Sequence, residues 1–182
     1  KDKKIKIINN ATNQGKSFSL INGIKKSKYE KIVIYDCDLP YLNYFEKVVK
    51  NLNKYSFVYI NRKSKQSKLD TKLFNSYQLV RFLVGRLMCF FINFFCLNLS
   101  IGDTQAGLKA FIKPKKFNDI DFKSQKFFFD AEIMIIFHKL KKNMKYIPVK
   151  YTVPKDSTIK IFELKNLIYI YELFKVVLFY RF

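Results

Sequence analysis

Tryptophan is absent from this 182-residue chain, histidine occurs once (His138), and there are only three cysteines and five glycines. Cys37, Cys89 and Cys96 form an odd set with no metal-ligand spacing. Together with a lone His, they exclude a disulfide framework and a zinc site and fit a reducing, cytosol-facing location. Acid is scarce as well: 14 Asp plus Glu stand against 35 Lys plus Arg, for a formal net charge of +21. Such an excess invites a nucleic-acid reading. However, the arginines are only Arg62, Arg81, Arg86 and Arg181, and the lysines are scattered rather than set in one stripe. The chain is crowded with Ile, Asn, Phe, Tyr and Lys, so Lys is the default solvated residue. No nucleic-acid partner is expected, although attraction to phosphates and anionic headgroups remains. No signal peptide, internal repeat or low-complexity linker is visible. The apolar run from Leu87 to Leu97 is about half the length of a membrane span and is flanked by Arg81 and Arg86.

What is present is enough apolar and aromatic residue, 49% and 18%, for one domain with a real core. The first line alternates. Ile5–Ile8 reads as a strand, Lys16–Lys26 as a helix, Lys31–Tyr35 as a buried strand, Tyr41–Asn53 as a helix and Tyr55–Ile60 as a strand. Such alternation predicts a mostly parallel α/β sheet flanked by helices, with ligands at the carboxyl ends of the strands. Further on, Lys72–Leu97 reads as helical, Leu108–Ile112 as a strand and Phe127–Lys142 as a helix. Met144–Tyr151 reads as a strand broken by Pro148. A domain of this kind ordinarily opens on a strand, so the first βα unit is expected to be missing. Residues 1–160 are read as the catalytic domain. Residues 161–182 are read as an amphipathic helix, lying in a membrane interface or packed on the core.

Several segments carry candidate chemistry. Asp36-Cys37-Asp38 stands at the end of the Ile-Val-Ile-Tyr strand, before Leu39-Pro40. Two carboxylates one residue apart can share a hard cation such as Mg²⁺ or Mn²⁺, which bridges nucleotide phosphates. Alone, an Asp-x-Asp is more often a solvated turn. Asn13-Gln14-Gly15-Lys16 opens a helix whose free N–H groups and ammonium suit a phosphate, but the P-loop spacing is absent; the plain alternative is a helix start. Gly102-Asp103-Thr104-Gln105-Ala106-Gly107-Leu108-Lys109 packs an acid, an amide, two glycines and a Lys between apolar stretches. It can also be read as a capped turn. Asp130 and Glu132 begin a helix, where acids favour the macrodipole.

Taken together and in order, these segments resemble the family 2 glycosyltransferases of GT-A fold, a Rossmann-like α/β architecture. The branch that moves a hexose onto a polyprenyl phosphate is most similar. The segments are Asn13–Lys16, Asp36–Pro40, Asn61-Arg62, Asp103–Phe111, Phe129–Ile133, and Ile147–Val149 followed by Ser157. The resemblance implies that Asp36 and Asp38 bind Mg²⁺ or Mn²⁺ and the donor diphosphate. Asn13, Gly15 and Lys16 would lie near the nucleotide, and Asp103 and Gln105 would face the sugar as the catalytic pair. Arg62, with Arg81 or Arg86, and Lys109 would hold an acceptor phosphate, while Asp130 and Glu132 would line the acceptor side. Ser157 and Lys160 match a Gly-Ser-Lys loop whose Gly is lost here. Cys37 stands where the family usually has Ala, and the family's first strand with its nucleotide-base contacts is absent.

The activity so implied is inverting transfer of a hexose from a UDP- or GDP-hexose to a polyprenyl phosphate at the cytosolic face of a membrane. The alternatives are a hydroxyl acceptor on a glycan or lipid, for which Asp103 would be the base, and an inactive membrane-associated fragment.

Overall fold

The computed structural model describes residues 5–70, 76–98, 101–152 and 167–181, apart from the side chains of Arg81 and Leu167. The elements run α1 (Lys16–Lys25), β1 (Lys31–Tyr35), α2 (Phe45–Asn51, after a 3₁₀ turn at Leu42–Tyr44), β2 (Phe57–Asn61), β3 (Lys68–Leu69) and α3 (Ser76–Cys96). They continue with β4 (Leu108–Ile112), a 3₁₀ turn at Phe117–Asp119, α4 (Phe129–Lys139), β5 (Met144–Pro148), β6 (Lys150–Tyr151) and α5 (Leu167–Arg181).

The main sheet has the order β1-β4-β2-β5. β2 and β5 are parallel, whereas β4 runs antiparallel to both neighbours, with Tyr35 opposite Leu108 and Tyr59 opposite Lys109. Three of the four strands therefore point one way, and the sheet is mixed through the reversed β4 between β1 and β2. The α/β class and the flanking helices agree with the sequence reading. The insertion of β4 does not follow from strand–helix alternation. It matters for the site, because reversing β4 brings the loop before it to the carboxyl ends of β1 and β2.

Side chains alternate across a strand, so each central strand feeds two cores. On one face, Phe57, Tyr59 and Phe111 pack with Ile24 of α1, Ile92 of α3, Ile133 and Phe137 of α4, and Val176 and Val177 of α5. On the other, Val58, Ile60, Leu108 and Ala110 pack with Val48 of α2 and with Leu52 just after it. β2 is buried at every position, as befits a two-faced central strand.

Two expectations are corrected. Ile5–Ile8 forms no strand; Ile5 and Ile7 are 72% and 78% exposed and pair with neither sheet. An apolar run without a partner strand has no ladder to join. The apolar segment counted from Leu87 belongs to a single 21-residue helix, α3, which is long and apolar enough to cross a membrane by length and composition. One face of α3 is nonetheless fixed to the domain: Cys89, Ile92, Asn93 and Cys96 are buried, and Asn93 accepts from Ile101 N–H and donates to the Gly102 carbonyl. α5 is packed on its inner face through Leu173, Val176 and Val177, while Tyr171, Phe174, Leu178 and Phe179 remain exposed. Its Glu172 is buried. It accepts from Ser124 Oγ and from the N–H groups of Lys126, Phe127 and Phe128 just ahead of α4.

Candidate active site

Asp36 follows the last residue of β1. Its N–H donates to the Gly107 carbonyl at 2.9 Å, and a turn closes from Leu39 N–H to Asp36 O at 3.0 Å. Leu39 sits in the left-handed region at φ 48°. A non-glycine residue rarely adopts this conformation, and the proline that follows narrows its choices further. The turn leaves Cys37 and Asp38 exposed. The Asp36 carboxylate lies flat against Gly107: a Cβ there would come within 2.3 Å of Oδ2. Gly107 is therefore the space that Asp36 occupies. Gly102 does the same for Asn61, whose Nδ2 would be 2.6 Å from an added Cβ.

Lys16 joins the first and fourth helices to this turn. Its Nζ is 2.9 Å from Asp36 Oδ1 and 2.9 Å from Asp130 Oδ2. The other oxygen of Asp130 is 2.9 Å from Lys109 Nζ, which also donates to the Ala106 carbonyl. Lys109 and Asp130 are buried. The result is a charge-balanced chain, Asp36–Lys16–Asp130–Lys109. Burial alone would lower the Lys16 pKa, but Asp130 and Asp36 outweigh it and the pKa is raised. For Asp130, burial opposes ionisation, and Lys109 with Lys16 reverses this and lowers its pKa.

Buried Asp103 and partly exposed Arg62 form a second unit. Arg62 Nε is 2.5 Å from Oδ2 and Nη2 is 2.9 Å from Oδ1; the N–H groups of Arg62 and Gln105 donate at 3.1 and 3.2 Å. A carboxylate offers about four lone-pair positions, and all are filled here. Burial would raise its pKa, but Arg62 prevails and holds it at about 2. Asp103 is thus held ionised by Arg62 with both oxygens already engaged, which argues against its reading as a base. Arg62 is correspondingly committed to Asp103 rather than turned outward.

Lys109, with its ammonium enclosed by Ala106 and Asp130, does not present a cation to an acceptor. Glu132 does not line this site either. It accepts from the N–H groups of Lys123 and Ser124 and from Tyr180 Oη, and burial raises its pKa against those donors. Arg86 is exposed with its guanidinium 5.5 Å from the Phe82 ring centroid. The Tyr151 hydroxyl has its pKa raised by burial. Arg81 lies on α3 with its side chain outside the described part, and Ser157 and Lys160 also lie outside the described residues.

The start of α1 is not open to a phosphate through its first N–H groups. Ser17 and Phe18 N–H donate to the carbonyls of Lys126 and Gln125 at 3.0 and 3.1 Å. Gly15, at φ 98°, permits that approach, since a Cβ would come 2.7 Å from Lys126 Cα. Asn13 Oδ1 accepts from Gly15 N–H. Beside this junction lies an open cleft of about 520 Å³, lined by Asn13, Gly15, Lys16, Lys126, Phe127, Ile168 and Tyr169.

Two buried polar atoms lack a protein partner among the described residues, Gln105 Nε2 and Tyr35 Oη. Unpaired buried donors are costly and mark places where a ligand group can bind. Gln105 follows the Asp103 anchor and Tyr35 precedes Asp36, so both lie beside the strand ends. Gln105 was among the expected site residues. Tyr35 was not, because in sequence it reads only as the last residue of a strand.

No group of three or more His, Cys, Asp or Glu side chains converges among the described residues. Mg²⁺ does not require one, because it is commonly held by one or two carboxylates plus substrate phosphates and water. Asp38, exposed, and Asp36, one-third exposed, fit that donor set.

An α/β domain that gathers acids and an unpaired amide at the carboxyl ends of its strands, with a cleft on the far side of Lys16, has the build of an enzyme for a polar ligand. The chain belongs to glycosyl transferase family 2, whose sequence profile matches residues 1–115, from before α1 through β4. It is accordingly a glycosyltransferase. Comparison with curated proteins finds no match.

Proposed function

We propose that this glycosyltransferase moves a hexose from a UDP- or GDP-hexose to a polyprenyl phosphate at the cytosolic face of a membrane, with inversion at the anomeric carbon. Asp36 and Asp38 hold Mg²⁺ or Mn²⁺, which when bound neutralises charge developing on the leaving diphosphate. Gln105 offers its free amide N–H to the sugar.

The observation that carries the acceptor assignment is the saturation of Asp103. A hydroxyl acceptor needs a base, and the residue best placed by sequence for that task has both oxygens already engaged. A phosphate monoester, with a second pKa of about 6, is already an anionic nucleophile at neutral pH. It needs cations to hold it. Lys126 lines the cleft together with Phe127, Ile168 and Tyr169, a pairing of positive and apolar surface that suits an amphiphilic anion.

The outer faces of α3 and α5 support the membrane reading. Leu83, Leu87, Phe90 and Phe94 of α3 and Tyr171, Phe174, Leu178 and Phe179 of α5 are exposed, and the two helices meet where the Phe91 and Phe174 rings pack edge to face at 5.5 Å. Cations border this face: Arg181 stands over Phe95 and Lys123 over Phe179, at 5.0 and 4.2 Å from the ring centroids. An apolar face edged by cations suits a bilayer with anionic headgroups. The protein is expected to sediment with vesicles containing anionic lipid. Recovery wholly in the supernatant at low salt refutes the membrane assignment.

The function is tested by radiolabelled transfer from UDP- and GDP-hexoses to a short polyprenyl phosphate and, in parallel, to glycan acceptors. Label in the lipid phosphate is expected. Label only in a glycan overturns the acceptor assignment.

A further inference from the structure

The Lys16 ammonium sits where a cation on Asp36 would have to share the carboxylate. It touches Asp36 Oδ1 and Asp130 Oδ2 at the same 2.9 Å, and it is one-third exposed beside the cleft, with Phe127 on its flank at 6.0 Å to the ring centroid. Its two partners differ in kind. Asp130 is buried and keeps Lys109 on its other oxygen. Asp36 stands at the open turn and, among the described residues, its carboxylate hydrogen-bonds to Lys16 and lies against the Gly107 backbone. The four-charge chain is neutral as it stands. A divalent ion added at Asp36 with Lys16 still in place would bring like charges close together in a partly desolvated site, where Coulomb terms are stronger than in water. Removing Lys16 from Asp36 costs little by comparison, because Asp130 retains the ammonium and Lys109 keeps Asp130 from standing alone.

From this arrangement we infer that Lys16 is a built-in competitor for the divalent cation, occupying Asp36 until the metal arrives and then withdrawing onto Asp130. The inference rests on the assignment of Asp36 and Asp38 as the metal-holding pair. It explains why a Lys follows Gly15: the glycine seats the helix start against Lys126, and the next side chain reaches the turn. It also implies weak metal binding without donor, since diphosphate oxygens must add to the ligand set before the ion outcompetes Lys16. Lys16 is on this account a positioning residue that acts through Asp36.

The test is Mn²⁺ binding to the full chain without nucleotide, followed by electron paramagnetic resonance of free Mn²⁺. Lys16→Met is expected to tighten Mn²⁺ binding by about tenfold, within the usual range for coupled sites, and adding Asp36→Asn is expected to cancel the gain. Lys16→Arg, which keeps a cation on Asp36, is expected to stay near the wild type. Circular dichroism melts verify that each variant is folded. If the wild type binds Mn²⁺ and Lys16→Met binds it no more tightly, the competitor role is overturned while the metal pair stands. A gain in Lys16→Arg equal to that in Lys16→Met overturns it too, because charge would not be the cause. If no variant binds Mn²⁺ even with a nucleoside diphosphate present, the metal pair fails, and the competitor role fails with it.

Discussion

Asp36 and Asp103 are the same residue type, come from neighbouring strands and end at the same edge of the sheet, yet the fold treats them in opposite ways. Asp103 is sealed: Arg62 and two backbone N–H groups fill its lone pairs, and no solvent reaches it. Asp36 is held by one partly exposed ammonium and a glycine, with exposed Cys37 and Asp38 beside it. The first arrangement fixes a loop, and the second leaves a carboxylate able to change partners. An acid at a strand end is therefore not a site by position alone; its hydrogen-bond occupancy decides whether it is scaffold or chemistry.

The comparison can be broken most forcefully at Arg62. Arg62→Met leaves Asp103 buried without its counter-charge, and removing one partner of a buried pair costs about 3–5 kcal/mol. Urea denaturation should show that loss, and Asp103→Asn added to Arg62→Met should restore part of it. A loss within about 0.5 kcal/mol, as at an ordinary surface position, would mean that the pair is not an anchor.

Gly107→Ala acts on the other acid. The new Cβ would press on Asp36 Oδ2, and overpacking of this sort costs about 1–3 kcal/mol. Because the carboxylate must move, kcat/KM should fall much more than stability does. Equal kcat/KM in the two proteins would remove the claim that Gly107 shapes the site.

Acid titration sharpens the contrast. The folded pKa of Asp103 is depressed to about 2, so its stabilisation is complete above the unfolded value of about 3.9 and is lost as pH falls through 2. The stability difference between wild type and Asp103→Asn should shrink by about 2 kcal/mol over that interval. A difference independent of pH would show that Asp103 is not held ionised.

The smallest effect on stability belongs to Asp38→Ala, expected within about 0.5 kcal/mol for an exposed turn residue. The same change should abolish Mn²⁺-dependent donor binding by calorimetry. Unchanged donor affinity would sink the metal assignment.

Local pattern revealed much of this architecture. The β-branched core of Lys31–Tyr35, the strand after Gly107 and the apolar run of α4 each carry their own periodicity, and each forms where expected. What local pattern does not carry is partnership. Nothing in Leu108–Ile112 says that it inserts backwards between β1 and β2, and nothing in Ile5–Ile8 says that no strand awaits it. The same limit applies to the site. Asp36, Asp103, Lys109 and Asp130 were visible as candidates from residue type and spacing. That Arg62 saturates Asp103, that Lys109 serves Asp130, and that the carbonyls of Gln125 and Lys126 cap α1 are contacts made across long sequence separations. Glu172 is the plainest case: nothing in its local sequence shows that its carboxylate accepts from the N–H groups of Lys126, Phe127 and Phe128, just ahead of α4.

The turn that separates Asp36 from Asp38 has a practical use as well. Cys37 is exposed, whereas Cys89 and Cys96 are buried. Thiolate chemistry follows access, so a maleimide dye added under mild conditions should attach between the two carboxylates and leave the interior thiols untouched. The native chain thus carries its own labelling position, from which a fluorescence or spin signal can follow ligand arrival without any engineered substitution.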